Sequence, residues 1–140
     1  MWVGIVPCAA QAKQFAIVAD KANSTSNLTA SELVKIFTAH KQNWPDGKAI
    51  TIVMRDPSSA DMQLVLRKLL SMTAEQAHAF VLAHRDVIMV ADTDDAVLRF
   101  VSTSPGAIGV VDLYSLTQDV SVVKIDGKLP VEQGYFLRGN

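Results

Sequence analysis

The chain has 140 residues, 49% of them hydrophobic and 19% charged, with a formal net charge of −1. That is the size of one domain with a real core, and the composition suits a compact fold rather than a disordered one. Acids and bases are spread along the chain, and no basic run marks a nucleic-acid or anionic-membrane surface. No nucleic-acid partner is expected.

The first residues differ from the rest. Met1–Ala12 carries no charge and is apolar or small. It ends in Ala10-Gln11-Ala12, the small-x-small pattern of a signal-peptidase site. The apolar run is too short to span a membrane as a helix. This stretch reads as a signal-peptide remnant lacking a basic n-region, with a domain from residue 13 to 140. A first strand or a frayed terminus is the other reading. Cys8 is the only cysteine. Pro7 precedes it where a lipoprotein signal would carry a small residue, which argues against a lipid anchor. Without Cys8, the chain from Lys13 onward has neither a disulfide nor a thiolate metal site.

Phe15–Ala19 is a buried-strand pattern followed by a polar loop from Lys21 to Asn27. Thr29 and Glu32 form a capping box, flanked by the Leu28/Leu33 staple, and Leu33, Ile36 and Phe37 make a buried stripe. Pro45-Asp46-Gly47 is a turn, and Ala49–Met54 a second strand. A helix begins near Ser58 or Ser59, with Met62, Leu66, Leu69 and Leu70 on one face. Thr73 and Gln76 repeat the capping box and open a helix to about His84. Val87–Ala91 is short and extended. Asp92 or Thr93 starts a helix carrying Val97, Leu98 and Val101, stopped by Ser104-Pro105-Gly106. Ala107–Val111, interrupted by Gly109, and Val120–Ile125 are further strands, the latter followed by an Asp126-Gly127 turn. Alternation of strands and helices predicts an α/β fold, a central sheet with helices on its faces.

The stretch LTASELVKIFTAHKQNWPDGKAITIVMR, with Ile36, Phe37, Trp44, Asp46, Gly47 and Arg55, resembles a segment of phosphate ABC-transporter substrate-binding proteins. SPGAIGVVD resembles that family's Pro-Gly-Ala-Ile-Gly segment, through Pro105, Gly106, Ala107, Ile108 and Gly109. KIDGKLPVEQGYFL, with Asp126, Gly127, Pro130 and Tyr135, is similar to its closing pattern. The resemblance runs from about Phe15 to Leu137. It implies a single lobe like a type II periplasmic binding protein domain, with a central mixed sheet flanked by helices. Two-lobed relatives hold an anion in the cleft between lobes, so a chain of about half that length lacks one cleft wall.

The best candidate site is Arg55–Asp61, RDPSSAD, at a strand-to-helix junction. A helix N-terminus offers unpaired N–H groups and a positive dipole end. Ser58 and Ser59 add hydroxyls, and Arg55 can grip two oxygens of an oxyanion as a fork. The resemblance implies phosphate contact along a matching Ser-Gly-Thr, on which Ser59, Ala60 and Asp61 fall. Ala60 departs from the Gly and narrows the backbone angles. Asp61 departs from the Thr and repels a dianion, although an Asp in this fold can accept a proton from monohydrogen phosphate. The competing reading is that a serine merely caps the helix and Arg55 makes a surface ion pair. A second candidate is the Asn23-Ser24-Thr25-Ser26 loop at a strand's carboxyl end, where Asn23 and Ser24 would donate; it also reads as an ordinary polar loop. Gly106–Gly109 is either backbone close to the cleft or a tightly packed turn and strand. Trp44 reads as an apolar plug beside its turn, with an exposed contact as the other reading.

His40, His78 and His84 lack metal-ligand spacing. Asp92, Asp94 and Asp95 cluster at a helix start, where carboxylates favour the dipole, without the ligand number of a calcium loop. No nucleophile elbow or phosphate loop is present. The sequence therefore predicts a secreted or periplasmic non-enzyme without cofactor that binds phosphate or a similar small oxyanion. A membrane transporter or sensor protein and a second copy of the chain are the macromolecular partners this reading allows. The alternative is an interaction or sensory-accessory module that keeps the fold and has lost the ligand.

Overall fold

The computed structural model describes residues 13–139. The signal-peptide reading of Met1–Ala12, with Cys8, lies outside the described residues. Chain order is β1 (Lys13–Asp20), β2 (Asn27–Leu28), α1 (Ala30–Phe37), β3 (Thr51–Arg55), α2 (Ala60–Leu70), α3 (Ala74–Ala83), β4 (Ile88–Ala91), α4 (Asp94–Thr103), β5 (Ala107–Asp112), a 3-10 turn (Leu113–Ser115), β6 (Val120–Ile125) and β7 (Arg138–Gly139). The local start signals act as the sequence predicts. Thr29 and Thr73 close full capping boxes with Glu32 and Gln76. Ser59 caps α2, and Thr93 rather than Asp92 caps α4.

Seven strands form one mixed sheet in the order β2-β6-β1-β5-β3-β4, with β7 added to the start of β1. β3, β4 and β5 are parallel, and β1 runs antiparallel to β5 and β6. β1 is longer than its apolar run because Lys13 and Gln14 pair with β7 and Asp20 pairs with β6. β3 starts later than the β-branched pattern suggests, since Ala49 is spent on a bridge to Asn43 across the Pro45–Gly47 turn.

Alternating residues of β1 feed two cores. Phe15, Ile17 and Ala19 join Ile52, Met54 and Ile108 under α1, α2 and α3. Ala16 and Val18 join Val53 and Val111 under α4, which presents Val97, Leu98 and Val101. In α2 the buried stripe is Met62, Val65, Leu66 and Leu69; Leu70, predicted on that face, is only half-buried.

From β3 the chain crosses one face of the sheet through α2 and α3 to β4, then returns over the other face through α4 to β5. The order of strands thus reverses beside β3. In open α/β sheets the crevice beyond the carboxyl ends of strands at such a point is where ligands bind. The N-termini of α2 and α4 both open there, the first directly after β3 and the second directly after β4.

Candidate anion-binding site

Arg55 is the last residue of β3, and Asp56–Ser59 turn the chain into α2. Asp56 builds this turn. Its Oδ1 accepts the Ser58 backbone N–H at 2.8 Å and the Ser58 hydroxyl at 2.7 Å. Those bonds, the backbone one foremost, hold the Asp56 carboxyl below its ordinary pKa. The Ser58 hydroxyl proton is therefore committed within the turn. Ser59 Oγ accepts the Met62 N–H at 3.2 Å, as an N-cap does. That leaves the Ser59 hydroxyl proton free to donate, and the Ala60 and Asp61 amides without intrahelical partners.

Arg55 is half-buried. Its Nη1 lies 3.6 Å from Asp94 Oδ1, at the start of α4. Its Nε is buried and has no hydrogen-bond partner among the described residues. Asp61 and Asp112 complete the surroundings, both within ion-pair range of Lys13, at 3.6 and 3.9 Å. Phe15, Met62, Val65 and Val110 supply an apolar floor to a cavity of about 10 Å³ beside Arg55.

The sequence candidates do not converge. Register sets Arg55 level with the start of β1: Val53 pairs with Gly109, and Val111 with Ala16. The Asn23–Ser26 loop leaves the far end of β1, beyond Asp20. Asn23 and Ser24 thus lie at the opposite end of the sheet from Arg55, Ser58, Ser59, Ala60 and Asp61. The strand-end rule located the loop on a carboxyl end, but β1 is the antiparallel strand, so its carboxyl end faces the other way. Asn23 Oδ1 accepts the Thr25 N–H at 2.9 Å, a local turn. Gly106 is at this far end too. Its N–H donates to buried Asp20 at 3.1 Å and its carbonyl accepts from Trp44 Nε1 at 2.9 Å. Gly109 packs under α4: a methyl group there would stand 2.8 Å from Val97 Cγ1.

Sequence reasoning missed Lys13, Asp94 and Asp112. Asp94 read as a dipole residue in an acidic cluster. Its pairing with Arg55 follows from α4 and β3 sharing one end of the sheet, and the parallel β3–β5 arrangement was the signal that places Asp112 beside them. Among the described residues, no group of three or more His, Cys, Asp or Glu side chains is placed to hold a metal ion, and no helix is long and apolar enough to cross a membrane.

Comparisons with known proteins agree with this architecture. An ABC-type phosphate transport receptor from Vibrio cholerae superposes with a TM-score of 0.79 at 19% identity, over 92% of this chain and 55% of that one. PstS from Borrelia burgdorferi gives 0.78 at 20% identity, over 93% and 56%. A phosphate-binding protein from Stenotrophomonas maltophilia gives 0.69 at 20%, over 86% and 41%. The chain thus spans roughly half the length of these structures, and the likeness is one of fold. No curated protein matches the sequence. The family model for the PBP superfamily domain matches residues 5–135, and the chain belongs to that family.

Proposed function

We propose that this lobe is an extracytoplasmic, non-catalytic solute-binding module that holds phosphate or a similar small oxyanion at the start of α2. The observation that carries the reading is Arg55. Its guanidinium stands at the switch point of the sheet with a buried Nε that no group among the described residues satisfies. An orphaned charged donor of this kind costs free energy that a bound oxygen would recover. The Ser59 hydroxyl and the Ala60 and Asp61 amides lie on the same turn as further donors, and the helix dipole favours negative charge there. Ser58 shapes the turn through Asp56 rather than contacting the ligand. Asp61 would accept a hydrogen bond from the P–OH group of monohydrogen phosphate, which sulfate lacks at neutral pH, and so favour phosphate. The Asn23–Ser24 loop takes no part. A membrane transporter or sensor protein is the partner class this fold suggests.

A micromolar affinity requires about −8 kcal/mol in total. A fork from Arg55 and two or three donors supply that only with water excluded, so a single open lobe should bind more weakly. The test is thermal unfolding of the chain with and without millimolar phosphate, with sulfate as control and Arg55→Ala alongside. Phosphate at about a hundred times its dissociation constant adds roughly 2.7 kcal/mol. A phosphate-selective rise in Tm that Arg55→Ala abolishes is expected. No rise in either protein would reject anion binding by this lobe.

A second reading rests on a separate observation. Leu82, Met89 and Val90 are exposed at 53%, 41% and 43%, around the free edge of the sheet at β4. An interaction module that retained the fold would use such a surface, and pull-down of a membrane partner without any anion response would favour it.

A further inference from the structure

Asp94 divides its two carboxylate oxygens between different tasks. Oδ2 accepts the Asp112 backbone N–H at 3.1 Å and the Ser115 hydroxyl at 2.7 Å. These bonds tie the first turn of α4 to the end of β5 and the turn after it. Oδ1 faces Arg55 Nη1 at 3.6 Å. A charge-assisted hydrogen bond between such groups has about 2.7–2.9 Å, so this contact is an ion pair without the fork geometry that Arg–carboxylate pairs adopt when they are optimal. Arg55 Nε, meanwhile, has no hydrogen-bond partner among the described residues. The carboxylate is anchored by its neighbours and grips Arg55 loosely.

Space and charge add to this. The cavity beside Arg55 is about 10 Å³. That is room for roughly one water molecule, not for a tetrahedral oxyanion. Three carboxylates (Asp61, Asp94 and Asp112) stand against two cations (Lys13 and Arg55) around it. The local balance is unfavourable for a dianion while Arg55 faces Asp94.

We propose that Asp94 is an internal occupant of the Arg55 anion site, and that its charge sets the affinity of the lobe for oxyanions. This rests on the reading of Arg55 as the anion anchor. In the arrangement described, Asp94 parks the guanidinium. Binding requires Arg55, a long side chain held by a loose contact, to swing from Asp94 toward the ligand. Asp94 itself stays, because its Oδ2 bonds to the Asp112 N–H and Ser115 do not depend on Arg55. The parked state shields a half-buried cation when no ligand is present and makes the lobe selective against weakly bound anions. Asp94 is thus a positioning residue, acting on the ligand through Arg55 and through its own charge.

The test is calorimetric titration of inorganic phosphate into the full chain, wild type beside Asp94→Asn, Asp94→Ser and the double variant Asp94→Asn/Arg55→Ala. Asp94→Asn keeps an oxygen to accept from Ser115 and the Asp112 N–H. Asp94→Ser removes the carboxylate with a residue suited to a helix start. Circular dichroism verifies that each variant is folded, and two chemically different substitutions guard against the failure of one. Removing a unit charge this close to the ligand should tighten phosphate binding by about tenfold or more in both single variants, and the double variant should lose the gain. Equal or weaker binding in the single variants than in the wild type, with binding lost in the double variant, would overturn the internal-occupant proposal and leave the anion site standing. A gain that survives Arg55→Ala would overturn it also, since the effect would not pass through Arg55. Absence of binding in all four proteins would reject the anion site itself, and the proposal with it. Binding that appears only in the Asp94 variants, and depends on Arg55, would support the internal occupant and show the native lobe to be shut.

Discussion

Trp44 and Gly106 close the end of the sheet away from Arg55. The indole is buried, and its Nε1 donates to a carbonyl 62 positions along the chain. Trp44→Phe keeps an aromatic body but removes the donor, leaving that carbonyl with the Thr51 N–H at 3.2 Å as its partner. Urea denaturation should show a loss of about 0.5–1.5 kcal/mol, the net contribution of one hydrogen bond whose acceptor keeps a second donor. An unchanged midpoint would mean that the bond contributes nothing beyond packing. The sequence showed Trp44 as an apolar plug beside a turn, because size and local setting are local properties. Its partner was not legible, since nothing in the Trp44 segment indicates which strand end it will meet. The same holds at the site. Arg55, Ser59 and Asp61 were legible from a strand-to-helix junction, whereas Lys13 and Asp94 reach Arg55 and Asp61 only through the folding of distant segments.

Helix starts were the most legible elements, and both capping boxes formed, because a cap is written within four residues. Strand direction was not. Phe15–Ala19 reads identically whether β1 runs parallel or antiparallel to β5, so nothing in it tells at which end of the sheet Asn23 and Ser24 will lie. The two-residue strands β2 and β7 exist only through pairing, and carry no pattern of their own. Gly109 is the element-scale exception, a strand interruption with a packing cause. A methyl group at this position would stand 2.8 Å from Val97 Cγ1 and 3.0 Å from Val101 Cγ2. Gly109→Ala should therefore push α4 off β5 and cost about 1–3 kcal/mol. Adding Val97→Ala should relieve part of that loss, and a double-mutant cycle reads the coupling. Additive losses would show that α4 does not rest on this glycine. The contact matters for the site because α4 carries Asp94.

At the scale of the molecule, the α/β fold with a central mixed sheet and helices on both faces was legible, from alternation of elements and from ordered family-like segments. The convergence of two helix N-termini on Arg55 was not, since it follows from the strand order β5-β3-β4. That order underlies the central proposal, that a small oxyanion is held where β3 ends and α2 begins, by Arg55 and the Ser59–Asp61 turn. The most direct measurement is a phosphate titration followed by two-dimensional 1H–15N NMR, with the Arg55 Nε–H resolved alongside the backbone amides. The account predicts saturable shifts at Arg55 Nε–H and at the amides of Ala60 and Asp61, with Asn23 and Ser24 still. Shifts confined to Asn23 and Ser24, or no saturable shift at Arg55 up to millimolar phosphate, would contradict it.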